Sequence, residues 1–241
     1  MSGTKKPHKK YLEEKFDHIV RFYDLVNSLL SFNQDRAWRK RVVQLLNNIE
    51  GPILDLCCGP FTLSVEIINT CSKRVFALDL SFNMLKFGLK RSSLFYPFLF
   101  PIRADAERLP FKEAQFSAIT LAFGLRNLSN LSLAISEFHR VLKEEGLLLI
   151  LEFSMPVNPI IKAFYIPYLR YLVPLVGGLI TKDREAYQYL ANSIQRFPPP
   201  QIISQEIQKV GFQKLSMHSL TFGVVTLYVF KKIKTIPETL K

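Results

Sequence analysis

"ILDLCCGPFTLS" (residues 53–64) is the stretch that decides how this 241-residue chain folds. An apolar run over 53–56 contains an acid near its end, Asp55, and a short turn then leads into a helix predicted over 61–69. Strand, tight turn and helix in that order build nucleotide-type cofactor loops, which carry two or three glycines where the backbone presses on the ligand. Only Gly59 stands there, among Cys57, Cys58, Pro60 and Phe61. Gly59 is expected as the helix N-cap and Pro60 at the first helical position, where no N–H is needed. The two cysteines read as small fillers. The Phe61 ring has two courses open to it: into the core, or against the ligand.

Downstream, the pattern alternates. Residues 74–79 read as a strand, and Ser81 as the N-cap of a helix over 82–91. Residues 98–105 form a further strand despite Pro101, and 116–123 and 147–153 are nearly continuous apolar strands flanking an amphipathic helix at 131–143. Uninterrupted apolar strands alternating with helices predict a mostly parallel sheet covered on both faces. Upstream, residues 1–10 are expected as a basic tail and 11–50 as helices, with Trp38, Val42, Leu45, Leu46 and Ile49 at helical spacing. Residues 51–155 then form the cofactor-binding core. Residues 156–200 break the rhythm as a helical, aromatic insertion, and 201–232 supply a last helix and two closing antiparallel strands. The fold class is α/β, a doubly wound seven-stranded sheet in a single domain.

In such a sheet ligands bind beyond the carboxyl ends of the strands. Asp55, Asp79 and Asp105 each follow or end one of the first three strands and so share one edge. A carboxylate after the second strand suits both ribose hydroxyls, and one after the third suits an adenine amino group with the Ala106 N–H beside it. Met84 and Leu85 are placed to pack on the base. Each acid alone is also an ordinary turn residue; three in sequence favour a nucleoside. A dinucleotide needs the helix N-terminus for its pyrophosphate, and Pro60 and Phe61 spoil that end. S-adenosylmethionine carries no phosphate and tolerates the loop better.

Composition narrows the setting. The chain is 48% hydrophobic with 20 phenylalanines and a net charge of +12, the excess being no single block: residues 1–50 and 201–241 each carry +4 of it. That balance suits an anionic membrane surface or nucleic acid, or nothing more than a basic soluble protein. No stretch reads as an unbroken span of ~20 apolar residues; the nearest, 165–180, is cut by Arg170, two prolines and two glycines. The first residues lack a signal peptide's apolar segment. Three cysteines make no disulfide framework and no histidine accompanies them, so a cytoplasmic protein without a metal is expected.

Several motifs together carry a resemblance. "AERLPF", "AFGLRNLSN", "HRVLKEEG" and "LEFSMP" run in the order found in class I S-adenosylmethionine-dependent methyltransferases, a Rossmann-like family. "FYDLVNSLLSFNQDRAWRKR" (22–41), "FGLRN" (123–127) and "DREAYQYLANSIQRFP" (183–198) are similar to signatures of the ubiquinone/menaquinone biosynthesis C-methyltransferases, and the likeness covers about residues 16–231. Two departures stand out: the family's small-Gly-Gly-Thr-Gly-Asp loop is here 57–62, and its Pro-Gly-Gly turn is Glu144-Glu145-Gly146.

The resemblance implies C-methylation of a prenylated quinol, demethylmenaquinol or a ubiquinone precursor, with S-adenosyl-L-methionine as cofactor. Its cofactor residues map onto Gly59, Pro60, Asp79, Asp105 and Ala106, with Ala122 and Phe123 completing the wall. Arg126 is then the candidate to stabilise the quinolate and Asn127 to orient a quinol oxygen, although Arg126 has a purely structural pairing with an acid as its alternative. Tyr23, Asn27, Phe123 and Tyr187 are expected around the substrate, and the aromatic insertion around its tail. No general base is assigned. Peripheral contact with the cytoplasmic face of an anionic membrane follows from the substrate and the charge; a homo-oligomer is left open. No nucleic-acid partner is expected, because Phe123-Gly124-Leu125-Arg126 stands where a base-gripping Asn/Asp-Pro-Pro-aromatic run would be. A scaffold subunit with a weakened cofactor loop remains the non-enzymatic alternative.

Overall fold

Neighbouring residues of a strand face opposite sides of a sheet, and here both sides are apolar. Ile53, Leu149 and Leu151 join one buried cluster, while Leu54, Leu148 and Ile150 join another. The sheet is therefore sandwiched between two layers of helix. The structure, a computed structural model, describes residues 6–92, 94 and 97–234.

Seven strands form one sheet: β1 (Ile53–Leu56), β2 (Val75–Asp79), β3 (Leu99–Arg103), β4 (Phe116–Ala122), β5 (Leu142–Phe153), β6 (Phe212–Leu220) and β7 (Val225–Lys232). Their order is β3-β2-β1-β4-β5-β7-β6. The first five run parallel, and β7 runs antiparallel to both β5 and β6. The expected doubly wound sheet with antiparallel closing strands is what forms. The strand order reverses between β1 and β4, opening a crevice at their carboxyl ends. Pro101 is tolerated because β3 is an edge strand, where a missing N–H breaks no ladder.

Helices α3 (Gln34–Gln44) and α4 (Thr62–Cys71) cover one face; α6 (Leu131–Val141) and α10 (Pro200–Lys209) cover the other. Ser81 caps α5 (Phe82–Arg91) as expected, its Oγ accepting from the Met84 N–H at 3.0 Å. A third, smaller core joins α2 (Tyr23–Leu30) to α7 (Pro159–Pro167), α8 (Val173–Thr181) and α9 (Arg184–Arg196) through Val26, Tyr165, Leu169, Val173 and Tyr187.

Five expectations are corrected. Residues 6–10 are not a tail but the start of α1 (Lys6–Ile19); the remainder of the expected tail, 1–5, lies outside the described residues. Helix α3 ends at Gln44, short of Gly51-Pro52, and Leu45 at its C-cap is exposed while Leu46 is buried. Glu144-Glu145-Gly146 lies within β5, which starts at Leu142, as an irregularity with both glutamates exposed and Glu145 left-handed (φ 64°) rather than as a turn before the strand. Helix α4 begins at Thr62, with Phe61 rather than Gly59 at the N-cap and Pro60 outside the helix.

Last, Arg170, Pro167 and Pro174 do not break 159–181, which is one helical run of 23 residues. Pro174 falls in the first turn of α8, and a π-helical turn at Tyr168–Leu172 shifts the hydrogen-bond register after Pro167. By length and composition this run is sufficient to cross a membrane, and only 28% of its most apolar stretch is buried.

Candidate active site

The loop after β1 turns through three left-handed residues in five: Cys57 (φ 51°), Gly59 (φ 55°) and Phe61 (φ 68°). Glycine takes this conformation freely and phenylalanine does not, so Phe61 sits in a strained backbone. The Phe61 ring turns into the core and is fully buried. It fills the space over Gly88, where an added Cβ would stand 2.5 Å from Phe61 Cδ2. Of the two courses open to the ring, it takes the inward one. Gly124 permits an equally close approach, since a Cβ there would meet Cys57 Cβ at 2.5 Å.

Asp55 and Asp79 do different things. Asp55 is buried behind the loop, accepting from Ser64 Oγ at 2.5 Å and Thr120 Oγ1 at 2.7 Å. Burial pushes its carboxyl up to about 6 against those two hydrogen bonds. Asp79, at the end of β2, accepts from the Gly59 N–H at 2.8 Å and the Ser81 N–H at 2.9 Å. Burial raises its carboxyl too, against the amides of Ser81, Gly59 and Leu80. Burial likewise pushes the Cys57 and Cys58 thiols well up, which suits fillers and not nucleophiles.

Besides a broad cleft of about 610 Å³ beside Arg126 and Tyr189, two cavities open at the carboxyl edge among the described residues. The smaller, about 100 Å³, is lined by Gly59, Asp79, Met84, Asp105 and Ala106, as the sequence reading expects of a cofactor site. Asp55, Pro60 and Ala122 do not line it, and this corrects their expected placement; Leu85 is in the core. Asp55 is out of reach because both its oxygens point back to Ser64 and Thr120. The larger cavity, about 340 Å³, is lined by Asn27, Arg126, Tyr187 and aromatic residues of the insertion. Tyr23 and Phe123 line both cavities. They mark where the two meet, and Tyr23 Cε1 lies 3.9 Å from where a Cβ on Gly59 would be.

Arg126 donates from Nη1 to Glu152 Oε1 at 2.7 Å and to the Phe123 carbonyl at 2.5 Å. Glu152 is fully buried and its other oxygen accepts the Arg126 N–H at 3.1 Å. The pairing with an acid therefore forms, yet Arg126 Nε is buried with no hydrogen-bond partner in a side chain that lines the larger cavity. Buried donors of that kind are rare and call for an explanation, such as a catalytic role or a partner oxygen from water or ligand. Asn127 lines the smaller cavity, not the larger, and accepts from Tyr189 at 3.2 Å. Burial pushes the Tyr23 hydroxyl up from its ordinary value, with the charges of Arg126 and Arg39 acting the other way.

Sequence reasoning missed four side chains here. Asp35 and Arg39 form a buried ion pair at 2.5 Å in the wall of the larger cavity; an acid and a base four apart on an amphipathic helix was the available signal. Glu13 and Glu107 line the smaller cavity. Glu107 accepts from the amides of Ser129 and Asn130, tying the loop after β4. Helix α1 carries Glu13 across the mouth of the smaller cavity: Glu13 pairs with Arg103 at 2.7 Å, and Asp17 accepts from Ser81 and Asn83 at 2.7 and 2.8 Å.

The ubiE/COQ5 methyltransferase family matches residues 4–232. The chain is 36% identical over 228 residues to a demethylmenaquinone methyltransferase of Streptomyces avermitilis, covering 94% of this chain and 96% of that protein. It is 33% identical over 230 residues to the protein of the same name in Staphylococcus haemolyticus, with 94% and 96% covered. Its fold is similar to that of Haemonchus contortus phosphoethanolamine N-methyltransferase 2, solved in complex with S-adenosyl-L-methionine. There the TM-score is 0.60 at 14% identity, covering 84% of this chain and 53% of that one.

Proposed function

The chain belongs to the ubiE/COQ5 methyltransferase family, and from that premise we propose that it methylates a ring carbon of a prenylated quinol, converting demethylmenaquinol to menaquinol with S-adenosyl-L-methionine. The observation that carries this is the meeting of a nucleoside-type cavity and an apolar cavity at Tyr23 and Phe123. One donor site and one greasy acceptor site, in contact at a single point, are what methyl transfer to a lipid-soluble ring requires.

The residues fit the cofactor. Asp79 offers its carboxylate at the end of β2 where ribose hydroxyls would lie, Asp105 and Ala106 flank a base, and Met84 packs against it. No phosphate has to be held, so Pro60 and Phe61 cost nothing there. When bound, the cofactor supplies a methyl already activated on a sulfonium. At about 100 Å³ the cavity is below the ~300 Å³ at which small-molecule pockets begin. Admitting a nucleoside therefore asks α1 to move outward, since Glu13 and Asp17 hold it over the opening.

The protein's work is orientation and charge. Tyr23 and Phe123, at the junction of the cavities, would hold the quinol ring against the cofactor site, where transfer needs an approach of ~3–3.5 Å. A quinol hydroxyl has a pKa near 10, and the apolar cavity opposes its ionisation further. Arg126 offers an unsatisfied Nε–H in the wall of that cavity, a donor able to hold the oxygen as charge develops on it. Its ion pair with Glu152 fixes the guanidinium in place. The insertion's apolar lining takes the first part of the prenyl tail. The net charge of +12 and a bilayer-dissolved substrate support a place at the cytoplasmic face of an anionic membrane.

The test is incubation of the purified chain with methyl-labelled S-adenosylmethionine and, separately, demethylmenaquinol and a demethylated ubiquinone precursor. Label on the menaquinone ring is expected. Label on the ubiquinone precursor alone would reassign the acceptor. Cofactor binding by calorimetry with no label on either would leave the scaffold reading standing.

A further inference from the structure

Helix 159–181 has two faces with opposite fates. Tyr165, Leu169 and Val173 point inward into the small third core, and Gly177 sits so close to Tyr187 that an added Cβ would stand 2.2 Å from its ring. Ile160, Phe164, Tyr171, Leu175 and Leu179, spaced four, seven, four and four residues apart, point outward. They are between 52% and 76% exposed. A helix this apolar on its outer face is not satisfied by water, and a helix anchored along its inner face cannot leave the fold to span a bilayer.

Two loop tips add to this face. Phe32 is 75% exposed and Phe222 is 79% exposed, each in a left-handed backbone conformation (φ 52° and 58°). Strained positions that hold a phenylalanine out in solvent are costly twice over, in backbone conformation and in exposed apolar area. Phe32 and Phe164 line the larger cavity while remaining mostly exposed, so they stand at its mouth. Thr221 and Val224, on either side of the Phe222 loop, line the same cavity.

Charge identifies the occupant. Residues 157–182 contain no acid, while Lys162, Arg170 and Lys182 are exposed there. Arg36 and Lys40, on the helix next to Phe32, are exposed too, and the one acid of that stretch, Asp35, is buried against Arg39. An apolar stripe rimmed by cations, with its local acid neutralised inside the protein, is complementary to a bilayer carrying anionic lipid.

We propose that this face, the outer stripe of helix 159–181 with Phe32 and Phe222, lies in the headgroup layer of an anionic membrane and opens the larger cavity directly into the lipid. A prenylated ring then enters without crossing water. The proposal rests on the quinol reading only for what passes through the mouth.

The test uses the full chain with vesicles of phosphatidylcholine alone and of phosphatidylcholine mixed with phosphatidylglycerol, read by co-sedimentation. The wild type is expected on the mixed vesicles, weakening as salt is added. The double variant Leu175→Asp/Leu179→Asp, at exposed sites away from the cavity, should lose at least tenfold in binding. It should still methylate a short-tailed, water-soluble quinol but not a long-tailed one supplied in vesicles. Phe222→Ser is a second variant should the first fail to fold, and Leu215→Ser, exposed on the distant edge strand, is the control.

Vesicle binding unchanged in both stripe variants overturns the proposal. So does an equal loss in the control, or a change from dimer to monomer in gel filtration with vesicle binding intact, which would assign the face to a second copy. Wild type that binds through the stripe but methylates neither quinol leaves the face standing and removes the quinol reading instead.

Discussion

Phe61→Gly isolates what the odd residue in the cofactor loop does. Its ring is fully buried, packed in the cluster that includes Leu63, Ile67 and Leu85 and lying over Gly88. Removing a buried phenylalanine ring costs ~3–5 kcal/mol. The replacement also relieves a left-handed backbone (φ 68°, ψ 20°) that costs a non-glycine residue ~1–2 kcal/mol. The net is a loss of ~1–4 kcal/mol, or a fall of ~2–16 °C in Tm for a domain of this size. Because the ring faces the core, cofactor affinity should stay within about threefold of wild type, less than ~0.7 kcal/mol at 1.4 kcal/mol per decade.

Differential scanning fluorimetry and titration calorimetry with S-adenosylmethionine read the two quantities separately. Gly88→Ala sharpens the result: its methyl collides with the ring in the wild type and fills the hole in Phe61→Gly. The double variant should therefore be more stable than the two single losses sum to. An unchanged Tm with affinity tightened tenfold would refute the reasoning, since it would mean the ring crowds the ligand.

Asp55 has a carboxyl raised to about 6 in the folded chain, above its ordinary ~3.9. A raised pKa means that the folded state holds the proton more tightly, so this contribution is full below about pH 4 and is lost as pH rises through 6. It is worth about 3 kcal/mol, and Asp55→Asn should flatten the stability profile between those limits; parallel profiles in urea titrations would exclude it. Arg126→Gln alone strands Glu152 as a buried charge at a cost of ~3–5 kcal/mol, so the informative variant is Arg126→Gln/Glu152→Gln. Its turnover should drop at least ~100-fold with cofactor affinity unchanged, and near-wild-type turnover would reduce Arg126 to a structural partner. Asp17→Asn with Arg103→Ala loosens α1 from Ser81 and Asn83 and frees Glu13 from its ion pair. Cofactor association measured by stopped flow should quicken several-fold, and an unchanged rate would show that α1 does not gate the cavity.

Much of the candidate site was legible from local pattern. Gly59, Asp79, Met84, Asp105 and Ala106 fall together because each lies at or just after the end of a strand, and strand ends in a parallel sheet share one edge. Asp55 obeyed the same spacing but turned inward: Ser64, nine residues on, and Thr120, across the sheet, take both its oxygens. Nothing in a linear pattern says which way such a carboxylate will point. A pairing of Arg126 with an acid was foreseen, but not which acid, since Glu152 comes from a strand 26 residues later.

Local pattern was enough for the sheet, its parallel core with antiparallel closure, the candidate cofactor edge and the helical insertion. Those follow from hydrophobic period and from punctuation by Gly and Pro, which act over a few residues at a time. Tertiary structure alone decided the rest. It turned Phe61 inward, because a left-handed backbone aims that ring at the space over Gly88. It kept 159–181 one helix across two prolines, because a π turn and the first turn of α8 absorb them. It joined two cavities at Tyr23 and Phe123 and left one helix face bare beside the larger mouth. Each depends on which distant surfaces meet, and only the closed chain brings them together.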